Sequence, residues 1–284
     1  MEQQELTDDA TELANLAQTL TGGTKSPSGF HHLASRMRVK IEDSIFLELL
    51  IVVTERLSKL REFVEAQPAN EIPKAVRGDI LAAIQNFTTF LNADFLATGW
   101  NADKAKIVSE NNVQSLRWFG AMVLSRHRPL HAISIEQINE VLARLSAKID
   151  ETSGADYFEW EKPLLIGGLR RIQTTLVYLP YFGHERAIAE LFVVVSQAQA
   201  LYREIDDDAP SASKKKASIY EILGVVGFAM NLFLFADQGA AAIDRYHKWM
   251  IEYVGLHTSK SPQRLLPPPV AKEAEPPEIE EPPK

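Results

Sequence analysis

The chain has no cysteine. That excludes disulfides, thiolate metal sites and a cysteine nucleophile, and with them the disulfide-stapled class of secreted domain. Glycine-rich phosphate loops are missing as well: Gly167–Gly168 is followed by Leu-Arg-Arg rather than by the Gly-Lys-Ser/Thr of such a loop. No stretch of strand length alternates apolar and polar residues, so β-structure is not expected. Met1–Asp9 is polar and acidic, with no basic start leading into an apolar run. It does not read as a signal peptide, and the expected location is the cytoplasm.

Net charge is small in the middle of the chain. The formal net charge is -8, but residues 1–24 hold five acidic side chains and no basic one. Residues 255–284 hold five acidic and four basic side chains, which leaves the body between close to neutral. A near-neutral body lacks the footprint of a duplex binder, so nucleic acid is not an expected partner. The basic clusters Arg36/Arg38/Lys40 and Lys214/Lys215/Lys216 read as solvated surface.

What the chain does have is apolar residues, 45% of it, at helical spacing. Leu13, Leu16 and Leu20 share one side of a short helix over 7–20, and a Thr21–Gly29 loop follows. Ile45, Leu49, Val53, Leu57, Leu60 and Val64 recur at three- and four-residue steps. The first half of that helix, IFLELLIVV, is apolar nearly all round, which predicts passage through the core. Pro73 opens a helix carrying Val76, Ile80, Phe87 and Leu91, and residues 93–108 read as irregular. A helix from Ser109 carries Val113, Leu116 and Gly120. Ser134 with Gln137 forms a capping box ahead of Ile135, Ile138, Leu142, Leu145 and Ile149. Two more helices follow, with Leu165–Leu179 and Ile188–Tyr202 as stripes, and then Ile219–Phe235, apolar on all sides.

The expectation is an all-α fold: an elongated antiparallel bundle of seven or eight helices over 30–256, with a division near residue 155 as an option. An acidic arm and linker precede it over 1–29. More than half of the 15 prolines fall in the segment after Leu256, so 257–284 reads as a disordered acidic, proline-rich tail.

Few residues carry candidate chemistry. His127 and His131 are four apart, but Pro129 between them breaks the helix a metal pair would need, so no metal and no cofactor are expected. Arg126 and His131 fit the loose Arg-x4–6-His spacing, and in that respect resemble helical HEPN-type ribonucleases. The resemblance implies charge stabilisation by Arg126 and proton transfer by His131 at a phosphate. The run Ile222–Ala236 (ILGVVGFAMNLFLFA) is shorter than the roughly 20 residues a spanning helix needs. It reads as buried core or as a membrane-inserting segment, with Gly224 and Gly227 allowing close helix approach and Asn231 as its one polar member.

Between residues 57 and 195 the order of features is similar to a loose group of uncharacterised bacterial helical proteins. The features are a leucine-striped helix, a Pro-started helix, Gly99–Trp100, NNVQSLRWFGAMVLS, a capped helix from Ser134, and a hairpin at Tyr181–Gly183. The resemblance implies helical architecture and brings no activity with it. Together these readings favour a non-enzymatic interaction or regulatory protein that docks a protein partner or self-associates, with no small-molecule ligand. A membrane-acting effector using 219–243 and the ribonuclease are the alternatives.

Overall fold

Side-chain caps set where half of the described helices begin. The computed structural model describes residues 6–22, 25–68, 70–124, 130–155, 158–206 and 208–234, and these are mostly helical, so the all-α class holds. The first half holds β1 (Leu6–Thr7), α1 (Asp9–Thr21), α2 (Gly29–Met37), α3 (Ser44–Ala66), α4 (Lys74–Phe90), α5 (Ala93–Ala97), α6 (Ala102–Ala105) and α7 (Glu110–Phe119). The last runs on as a π-helical turn, Gly120–Leu124. The second half holds β2 (Leu130–His131), α8 (Ile135–Gly154), α9 (Glu161–Val177), α10 (Leu179–Phe182), α11 (His184–Glu204) and α12 (Ala212–Leu234).

Asp8, Ser28, Asn92, Asn101, Ser109 and Ser134 each accept a first-turn N–H that would otherwise lack a partner. The Ser134 box forms as the sequence indicates. The Gln137 N–H donates to Ser134 Oγ at 3.2 Å, and the Ser134 N–H donates to Gln137 Oε1 at 2.9 Å. Asn92 and Asn101 start the short helices α5 and α6 inside the stretch read as irregular. β1 and β2 pair antiparallel, Leu6 against His131 and Thr7 against Leu130, a two-residue ribbon that the sequence reading did not include.

Two apolar cores result. The first gathers the buried faces of α1 to α7, from Ala10 to Phe119, and takes in Tyr181 and Phe182 from α10. The second gathers α8, α9, α11 and α12, from Val141 to Phe233. The apolar boundary therefore falls between Phe119 and Val141, because α8 packs with the helices that follow it. The segment read as an acidic arm is not separate from the body: α1 buries Ala10, Leu13, Ala14, Leu16, Ala17 and Leu20 in the first core. Burial of that stripe outweighs the acidity of its flanks.

One helix departs from the sequence reading: α3 does not cross a core on all sides, since Leu47 and Ile51 are each 57% exposed. α8 keeps the expected stripe beyond its first position. Leu145 and Ile149 are buried and Ile138 and Leu142 pack against the second core, joined by Val141, whereas Ile135 is exposed. α9 and α11 approach closely at Gly168, where a Cβ would meet Val194 Cγ2 at 2.8 Å. Ion pairs fasten α12: Lys148 of α8 reaches Glu221 at 2.6 Å, and Lys215 reaches Glu161 of α9 at 2.7 Å.

Candidate functional site

Among the described residues a cluster of buried charged side chains lies where the two cores meet. Arg56 sits on the inner face of α3, with its side chain 7% exposed. Its Nε donates to Asp9 Oδ1 and its Nη2 to Glu12 Oε2, both at 2.7 Å. Nη1 donates to the carbonyls of Tyr181 at 2.9 Å and Pro180 at 3.2 Å. One guanidinium thus ties α1 and α3 to the α10 corner, using the planar fork that lysine lacks. Gly183 makes the approach feasible. Its φ of 78° lies in the left-handed region, and a Cβ there would fall 2.6 Å from Arg56 Cζ.

Glu12 is shared. Its Oε2 also accepts the His184 N–H at 3.3 Å, and His184 Nδ1 stands 2.7 Å from its Oε1, off the hydrogen-bond direction. The edge of Phe233 closes the other side of the imidazole, with ring centroids 5.4 Å apart. Burial disfavours the Glu12 carboxylate, yet His184 and Arg56 outweigh it and hold its pKa below the ordinary value. At Asp9 burial wins over Arg56 and pushes the pKa up. Each charged group here meets its counterpart inside the protein. The cluster fastens the two cores together and presents no reactive group outward.

The outward-facing candidate lies between α4 and α7. A cleft of about 280 Å³ is lined by Val76, Asp79, Ile80, Gln114, Ser115 and Trp118. Its lining mixes apolar Val76, Ile80 and Trp118 with polar Asp79, Gln114 and Ser115. Trp118 is 42% exposed, and Met122, a turn further on, is also 42% exposed. A half-exposed indole beside apolar side chains in a concave surface suits the anchor of a protein partner. Sequence reasoning missed this site because Trp118 was one of four scattered tryptophans. Its position two residues after the core residue Leu116, on the far side of α7, was the available signal.

Of the residues singled out from the sequence, the described ones lie on two elements that pack together: His131 on β2, and Gly224, Gly227 and Asn231 on α12. Arg126 and His127 lie outside the described residues, as do Phe235 to Lys284, which include the tail and the last expected helix. His131 sits in β2 opposite Leu6, where burial lowers its pKa. Gly224 has nothing within 4 Å of an added Cβ among the described residues, so no described helix approaches there. Gly227 is buried, and Asn231 is buried with Oδ1 unpaired among the described residues. α12 is long and apolar enough to cross a membrane, and most of it is buried in the second core. Among the described residues no three His, Asp or Glu side chains converge as a metal site requires.

Compared with known proteins, the chain matches no family model, no curated protein and no solved structure.

Proposed function

We propose that this protein is a non-enzymatic, cytoplasmic helical interaction protein of bacterial type. In this reading its antiparallel helices form a scaffold for docking a protein partner. The observation that carries it is the α4–α7 cleft, where Trp118 stands exposed beside Val76 and Ile80. Large aromatic side chains next to desolvatable apolar floors dominate binding energies at protein interfaces. The buried junction supports the same reading, because its charges are spent on joining the two cores.

The test is a Trp118→Ser exchange in the full chain, followed by affinity purification from the native cell with quantitative mass spectrometry. A partner held in fixed stoichiometry by the wild type and lost from the variant supports the reading. A partner retained by the variant refutes the cleft, and the absence of any stoichiometric partner refutes the function.

A second reading rests on α12, a membrane-acting effector that releases this helix from the second core. Its observation is the length and apolarity of Ala212–Phe233. Flotation with liposomes tests it, and a chain that stays at the bottom of the gradient with and without anionic lipid rules it out.

A further inference from the structure

The outer face of α3 carries a pattern with no partner among the described residues. Leu47 and Ile51 lie one turn apart and are each 57% exposed. Beside them run Glu48, Glu55 and Glu62, all exposed, at successive seven-residue steps. Seven residues bring a helix back to nearly the same face, so the three carboxylates form a row parallel to the apolar pair. None of them forms an ion pair with another described residue, whereas Arg61 and Glu65 of the same helix pair at 3.0 Å. Lys59 stands next to the row without pairing with it. The inner face is occupied by Leu49, Val53, Arg56, Leu57 and Leu60, so the outer face has no role in the first core.

An apolar pair flanked by a straight row of one charge is half of a helix–helix interface. The missing half is defined by complementarity: two apolar side chains one turn apart, flanked by lysines or arginines at seven-residue spacing. The same carboxylates exclude other occupants. They repel nucleic acid and anionic lipid surfaces. A second copy packed antiparallel about a twofold axis would bring both acidic rows to the same flank, like charge against like.

We propose that the outer face of α3 docks a basic amphipathic helix of a partner protein, with Leu47 and Ile51 receiving its apolar side chains and Glu48, Glu55 and Glu62 its cations. This deepens the reading of an interaction protein and rests on it. It shares no residue with the α4–α7 cleft, so the two surfaces fail or stand separately.

The probe is a synthetic helix, capped at both termini, with a leucine pair one turn apart, lysines at seven-residue spacing beside it and alanine elsewhere. Its binding to the full chain is followed by fluorescence anisotropy at low and high salt. The expected result is saturable binding that weakens with salt. It should fall at least about tenfold in Ile51→Ser and in Leu47→Ser, with unchanged helicity by circular dichroism. A companion peptide with glutamate in place of lysine should ignore the wild type and bind the Glu48→Lys/Glu55→Lys/Glu62→Lys variant. Equal binding to wild type and Ile51→Ser, or no binding of the lysine peptide, overturns the proposal. So does a wild-type dimer abolished by Ile51→Ser. The Trp118→Ser experiment is untouched by any of these results and continues to test the cleft.

Discussion

Replacing Arg56 by Met gives the sharpest thermodynamic prediction. The substitution keeps the bulk of the side chain and removes every donor. Asp9 and Glu12, with side chains 17% and 10% exposed, are left without their cation, and the carbonyls of Pro180 and Tyr181 lose theirs. Removing one member of a buried charge cluster costs about 3–5 kcal/mol, because the surviving charges remain desolvated. Against a typical total stability of about 5–15 kcal/mol that is a large fraction. The assay is urea unfolding followed by far-UV circular dichroism, repeated across pH. In the variant the penalty should shrink as the pH falls into the carboxylate range, since protonated Asp9 and Glu12 no longer need a counter-charge. Neutralising the whole set, Asp9→Asn/Glu12→Gln/Arg56→Met, should recover most of the loss. About 1–3 kcal/mol should remain for the unpaired carbonyls. An Arg56→Met chain within about 0.5 kcal/mol of wild type would refute the assignment, since that is the range of an ordinary surface change. So would a triple variant less stable than Arg56→Met alone.

Other consequences can be checked in the same assay. Gly168→Ala should destabilise by about 1–3 kcal/mol, because its Cβ meets Val194 at 2.8 Å. Gly167→Ala, with nothing within 4 Å, should stabilise by about 0.5–1 kcal/mol. At Glu161 burial opposes the charge, but Lys215 and backbone N–H groups outweigh it and lower the pKa. The stability Glu161 supplies is therefore present above the ordinary carboxylate value and lost as the pH falls through its lowered folded-state value. Glu161→Gln should flatten that acid limb. His32 stacks on Trp100 with centroids 4.0 Å apart, and its Nε2 lies 2.7 Å from the Leu20 carbonyl. Burial lowers its pKa, so its contribution is full above the ordinary imidazole value and declines as the pH falls below it. His32→Ala should lose stability at neutral pH and show less change between neutral and mildly acidic conditions.

Helices with a hydroxyl or amide cap and one apolar stripe were legible in the sequence. Ser134 with Gln137 fixed the start of α8, and Leu165, Leu169, Ile172 and Leu176 all face the second core. The length of an apolar run, by contrast, does not reveal how many neighbours surround it. IFLELLIVV has a core on one side only, which leaves Leu47 and Ile51 in solvent. Arg56 was readable in part. It falls three residues after Val53 and four before Leu60, on the buried side of α3, where a charge demands partners. Those partners come from 44 and 47 residues upstream and from a corner some 124 residues downstream. Helical periodicity carries no information about pairings at that range. The α4–α7 cleft was hidden for a related reason: Val76 and Ile80 looked like ordinary stripe residues until α7 was placed beside them with Trp118 at the rim.

We propose that this helical protein works by holding another protein at the α4–α7 cleft. The most direct measurement is light scattering coupled to size exclusion on the complex isolated from the native cell, compared with the Trp118→Ser chain prepared in the same way. A complex of defined mass is expected for the wild type and a lone chain for the variant. A wild-type chain that elutes alone at every concentration, or a Trp118→Ser chain that keeps the same complex, would contradict it.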